Sequence, residues 1–169
     1  RGEIYDTSGI TLASTSVVWT IWADPSYSTA LFTSSKNDDT GEVTRTADPA
    51  ALQEVSTQIT LRLLSGDGES LDSVDTSSAA YQTQYQAVYD ALSKSDSAYQ
   101  TLATKVNNAI KLSIEQYVTA YNKAHKKADA DKGIRKGRIS VSSTKSFQRD
   151  YPYGAFAAAV LGFTDGEGV

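Results

Sequence analysis

Strand-type sequence stands at both ends of this chain and helix-type sequence fills the middle. One sheet can therefore close only if segments far apart in sequence meet. Arg1 to Asp6 alternates as a short strand, Thr7-Ser8-Gly9 supplies turn residues, and Ile10, Leu12 and Ala13 resume the strand. Ser16 to Ala23, Ser-Val-Val-Trp-Thr-Ile-Trp-Ala, is dense in β-branched and aromatic residues and apolar on both faces. It reads as a central, covered strand closed by Asp24-Pro25, with Trp19 and Trp22 packing on opposite faces. At the other end Ile139 and Val141 restore period two, which predicts a strand over Arg138 to Phe147. Pro152 fixes its own φ and drives Tyr151 toward extended backbone, so that strand ends there. Gly154 then opens a helix of small residues, Ala155 and Ala157 to Ala159, which Gly162 can stop.

Between these ends Ser34 to Asp48 is polar and glycine-containing and reads as a surface loop. Asp48-Pro49 then caps a helix with Leu52, Val55, Ile59 and Leu63 on one face, ending near Gly66. Ser65 to Ser78 lacks apolar period and reads as a mobile linker. Helical spacing returns at Tyr81, Tyr85, Val88 and Leu92. Ser95-Asp96-Ser97 is predicted to cap a further helix carrying Tyr99, Leu102, Val106, Ile110 and Ile114 toward Tyr121. An aromatic stripe at this spacing is a core face rather than a cofactor box.

The chemistry on offer is sparse. A net charge of −4 argues against a nucleic-acid protein, although basic residues cluster between Lys105 and Lys145. Lys126, Lys127, Lys132, Arg135, Lys136 and Arg138 read as a solvated face, and an anionic lipid headgroup or acidic wall polymer would suit them as partner. Cysteine is absent, which removes disulfides and thiolate chemistry. His125 has no second histidine or carboxylate cluster to make a metal site, and Asn37-Asp38-Asp39 lacks the glycine and distal glutamate of a calcium loop. Ser142-Ser143-Thr144-Lys145 matches Ser-x-x-Lys, but the match lies on a predicted strand, where residues three apart point to opposite faces. No phosphate loop or dinucleotide fingerprint is present, and no cofactor is expected.

The two ends together carry a resemblance that neither carries alone. Arg1-Gly2-Glu3-Ile4-Tyr5-Asp6, with Gly9 and then Leu12-Ala13, resembles the Arg-Gly-x-Ile-x-Asp-Arg-Asn-Gly-x-x-Leu-Ala opening of class B penicillin-binding proteins. Arg149-Asp150-Tyr151-Pro152-Tyr153-Gly154 resembles their second block, Arg-x-Tyr-Pro-x-Gly, and Gly162-Phe163 the opening of the third. Trp22-Ala23-Asp24-Pro25 resembles the strand and Asp-Pro step after the first block. Thr7 and Ser8 stand where the family has Arg-Asn, and the sequence stops before the Gly-x-Glu that closes the third block. The stretch from Ser65 to Ser97 matches only as helix and loop.

The resemblance implies an α+β fold: a small sheet formed by the N- and C-terminal strands, residues 1–25 and 138–169, with a long helical insertion over 48–130. It implies the dimerisation domain, or pedestal, of a peptidoglycan D,D-transpeptidase, excised from between a membrane anchor and the transpeptidase domain. That places it on the outer face of the cytoplasmic membrane. It implies no catalytic residue here, with Arg1, Gly2, Ile4, Asp6, Gly9, Arg149, Tyr151, Pro152, Gly154 and Gly162 as structural and interdomain positions. The implied partners are its own transpeptidase domain, division, elongation or sporulation proteins including a glycosyltransferase, and a second copy. Closure of the sheet would bring Asp6 within reach of Arg149 or Arg1. An extracytoplasmic sensor or helical adaptor is the alternative, on the strength of the Tyr-striped helices.

Overall fold

The computed structural model describes residues 2–130 and 137–153, apart from the side chains of residues 126–130. The fold is α+β, and its centre is one long strand. The sequence suggests two short strands here, but β2 runs unbroken over Thr11–Ala23 and takes partners on both edges. It pairs with β1 (Ile4–Tyr5), β5 (Gln100–Val106) and β6 (Val141–Asp150), all antiparallel, and β5 and β6 lie on opposite edges because both pair with its residues 19–23. The β2–β6 register is regular from Ser14 opposite Asp150 to Ala23 opposite Val141. Residues 14–23 and 141–150, from the two end regions of the sequence, thus lie side by side.

Three helices and β5 supply the core. Helix α1 (Pro49–Leu64) starts where Asp48 accepts from the N–H groups of Ala50 and Ala51, with proline in the first turn. Helix α2 (Ala79–Leu92) is capped by the Ser78 hydroxyl, which accepts from Tyr81 N–H at 3.2 Å. Helix α3 spans Asn108–Ala130. Leu52, Val55 and Ile59 of α1 and Val88 and Leu92 of α2 are fully buried with Ile21 and Ala23 of β2 and Ile114 of α3. Trp19 packs against this cluster from β2, while Trp22, on the opposite face, stacks on Tyr99 at 4.9 Å.

Three expectations are corrected. Residues Gln100–Val106 form a strand, not the first turns of a helix. Leu102 and Val106 are four apart, a spacing that puts two residues on one face of a helix and equally on one face of a strand. Lys105 takes φ 57° where the β5 register shifts before Val106, and Asn107, not Ser97, caps the helix by accepting from Ile110 N–H at 2.9 Å. The polar stretch after Phe32 is a hairpin, β3 (Phe32–Lys36) against β4 (Val43–Ala47), rather than a loop. Its anchor is Arg45, whose guanidinium donates to the carbonyls of Pro25, Ser26 and Ser95 and lies 4.5 Å over the Phe32 ring.

The third correction concerns the expected linker over residues 65–78, which is built from side-chain-capped turns and a short 3-10 helix at Leu71–Ser73. It is tied to α3, since Asn107 donates to Gly66 O and Ser113 to Gly68 O. Gly68 has φ +80°, and a Cβ there would stand 2.8 Å from Ser113 Cβ, so only glycine allows this approach. Asp67 accepts from the hydroxyl and N–H of Ser70 and the N–H of Glu69, which holds its carboxyl down to about 2. Because its folded pKa is depressed, Asp67 supports the turn above the ordinary aspartate range and ceases to as pH falls through about 2. We expect an NMR titration of the Asp67 carboxyl to have its midpoint near 2 and Ser70→Ala to raise it; a midpoint near 4 in the unmutated chain would refute the turn geometry.

Candidate functional site

Those of the singled-out residues that are described lie in or beside β1, the hairpin turn after it and the C-terminal part of β6. Arg149 stands opposite Thr15 in the ladder. One of its nitrogens, Nη1, donates both to the Gly2 carbonyl and, at 3.0 Å, to Thr15 Oγ1. Its guanidinium lies 6.0 Å from the Tyr151 ring. The expected pairing of Arg149 with Asp6 is not formed, and the alternative with Arg1 falls outside the described residues. Asp6 Oδ1 instead accepts from the N–H groups of Ser8 and Ile10, both at 2.8 Å, closing the hairpin turn in which Gly9 has φ +80°. An aspartate that can satisfy its own turn needs no reach across the sheet. Thr7 and Ser8 sit in that turn.

Ile4 is half-buried opposite Ala13, which is fully buried. A Cβ on Gly2 would meet nothing within 4 Å, so Arg149 uses the carbonyl of this residue and not its missing side chain. Tyr151 follows the end of β6 half-buried, and Pro152 is exposed in the turn after it. Arg1, Gly154 and Gly162 lie outside the described residues, as do Ala155 to Ala159, Lys132, Arg135 and Lys136.

Elsewhere the candidate chemical groups serve packing. Ser142 and Lys145 stand on β6 opposite Trp22 and Trp19, which lie on opposite faces of the sheet. A lysine so placed cannot take the serine proton. His125 stacks on Tyr121 at 3.9 Å between ring centres, and its Nδ1 lies 2.9 Å from the Tyr121 carbonyl. Arg138 covers the Tyr27 ring at 3.4 Å. Burial pushes the Tyr117 phenol up, with Glu54 adding to the shift, and the Arg62 guanidinium stands over that ring at 4.6 Å.

The site is therefore a junction of chain ends, carried by backbone pairing and one arginine. Sequence reasoning missed Asn122, whose amide bonds both backbone groups of Ile139, at 2.8 Å and 3.0 Å. Its position on α3 gives no signal of that role. We expect Arg149→Ala to lower the unfolding free energy by about 1–2 kcal/mol, the range for a half-buried charged donor. In hydrogen exchange the amide of Asp6 should exchange faster while those of Val55 and Ile59 in α1 keep their rates. A uniform change across sheet and helices would mean that Arg149 does not hold the ends together.

Against known proteins, residues 1–167 match the family model described as Penicillin-binding Protein dimerisation domain. No curated protein matches. Among solved structures, penicillin binding protein 2X from Streptococcus thermophilus is similar at 20% identity and a TM-score of 0.41, over 90% of this chain and 17% of that one. Penicillin-binding protein 2B from Streptococcus pneumoniae strain R6 is similar at 16% identity and a TM-score of 0.34, over 95% of this chain and 26% of that one. The chain thus spans about a fifth of the length of these structures. With nearly its whole length inside one family model, the chain belongs to the penicillin-binding protein dimerisation domain family.

Proposed function

We propose that this domain is the non-catalytic scaffold of a membrane-anchored penicillin-binding protein in peptidoglycan synthesis, whose parent activity is penicillin-sensitive D,D-transpeptidation. Family membership supports the setting. The observation that carries the non-catalytic half is the unbroken pairing of β6 with β2, which fixes Ser142 and Lys145 on opposite faces. The activity then belongs to a transpeptidase domain, and this domain meets the division, elongation or sporulation machinery, with a glycosyltransferase as the natural partner. A second copy is a further partner of the same scaffold. The anchor would hold it at the outer face of the cytoplasmic membrane; among the described residues no helix is long and apolar enough to cross a membrane.

The competing reading, a helical sensor or adaptor, makes the sheet incidental. Against it stands the position of β2, which contributes Ile21 and Ala23 to the same buried cluster as all three helices. Two measurements test the scaffold reading. Fluorescent penicillin should leave no covalent adduct on the 169-residue chain, and an adduct at Ser142 would make it an enzyme. Deleting Arg1 to Asp24, which removes the central strand, should abolish cooperative unfolding. A stable helical dimer surviving that deletion would favour the adaptor.

A further inference from the structure

We propose that the outer edge of β6 docks an extended acidic segment of a partner protein, which adds to the sheet as a further strand. The direction of hydrogen bonding along β6 follows from its first residues. Asp24 donates its N–H to Ser140 O at 2.9 Å, and the same register continues through Trp22 opposite Ser142 to Ser14 opposite Asp150. Bonded pairs alternate in an antiparallel ladder. The even-numbered residues of β6 therefore turn their N–H and C=O toward β2, and the odd-numbered ones turn theirs away. Ile139 obeys the rule, because the Asn122 side-chain amide occupies both of its outward groups as a neighbouring strand would. Beyond it, among the described residues, β6 pairs with β2 alone, and nothing plays that part for Val141, Ser143, Lys145, Phe147 and Arg149.

An edge of this length is ordinarily blunted by a bulge, a proline or brevity. β6 has ten residues, no proline and no shift of register. Its outward residues also carry a side-chain pattern. Lys145, Phe147 and Arg149 alternate on one face, with Phe147 62% exposed beside Val17, its partner in the ladder, at 44%. Lys145 Nζ lies 5.2 Å over the Phe147 ring and Arg149 Nη1 donates to Gly2 O and Thr15 Oγ1, so neither cation has a carboxylate partner, the ion pair found among the described residues joining Lys111 to Glu115 at 2.6 Å. A second copy supplies no carboxylate opposite either cation in any register, since none of the outward residues of β6 is acidic. Antiparallel self-pairing about Phe147 sets Lys145 against Arg149 twice, and pairing about Lys145 sets lysine against lysine. A strand with an apolar residue opposite Phe147 and acidic residues opposite Lys145 and Arg149 satisfies backbone, ring and charges together.

A partner strand presupposes the scaffolding role proposed above. The probe is a blocked heptapeptide, Thr-Glu-Thr-Val-Thr-Glu-Thr, added to the 169-residue chain and followed by NMR. The amides of Ser143, Lys145 and Phe147 should shift saturably and exchange more slowly. Replacing both glutamates by lysine, or N-methylating alternate peptide nitrogens, should weaken binding by about tenfold or more. Phe147→Pro removes one outward N–H while sparing the bonds to β2, and should abolish docking. Lys145→Glu, which carries no risk to the ladder, should weaken it by about tenfold. Three results would each overturn the proposal: no saturable shift on β6, binding indifferent to N-methylation, or edge amides already protected in the chain alone. Self-association lost in Lys145→Glu would do so as well, by naming a second copy as the occupant. None of these outcomes touches the penicillin-labelling test, so failure here is separable from failure of the scaffold reading.

Discussion

The ladder between β2 and β6 is the interaction on which the rest depends. It joins residues 14–23 to residues 141–150, so nearly the whole described chain is a loop closed by one antiparallel pairing. The entropy of closing so long a loop grows only with the logarithm of its length, and ten backbone pairs offset it together with the side chains they align. Alternation then divides the labour of β2. Ile21 and Ala23 enter the core on one face, and Trp22 stacks on Tyr99 on the other. Without the ladder the helices would keep each other's company but lose the floor on which Ile114 and Val118 of α3 pack.

Secondary anchors follow the same economy, each holding backbone rather than another charge. Arg45 binds three carbonyls and so ties the β3–β4 hairpin to the loops around Ser26 and Ser95. Arg149 binds the Gly2 carbonyl, and the Asn122 amide binds both backbone groups of Ile139. Side-chain donors aimed at carbonyls give fixed geometry where the described residues hold one ion pair, Lys111 with Glu115, and they do not weaken with salt as exposed pairs do.

Much of this was legible in the residues. The amphipathic faces of α1 and α2, the Asp48-Pro49 start and the central character of Ser16 to Ala23 all follow from period and capping. What failed did so for identifiable reasons. Leu102 and Val106 fit both periods, and the strand won because β2 offered an edge. The β3–β4 hairpin carries Ser and Thr where a buried strand would carry apolar residues, since its anchor is the single Arg45. The turns around Asp67 look like linker because their order comes from serine and aspartate side chains that also abound in loops. Arg149 was marked by family resemblance, yet its acceptors are backbone and hydroxyl groups, which no residue pattern announces. That β6 pairs with β2 alone among the described residues was equally hidden, because alternation declares a strand without declaring its neighbours.

The contact between Arg149 and the Gly2 carbonyl has a mechanical meaning. Gly2 and Arg149 meet at the same extremity of the ribbon, so tension between the segments joined to them would run across that contact and the adjacent rungs, Ser14 with Asp150 first. Such a load opens the ladder one rung at a time, in the manner of a zip, and leaves α1 and α2 off the path of force. The domain would behave as a side lobe fastened by a short clasp, giving way stepwise under pull while its helical body stays folded.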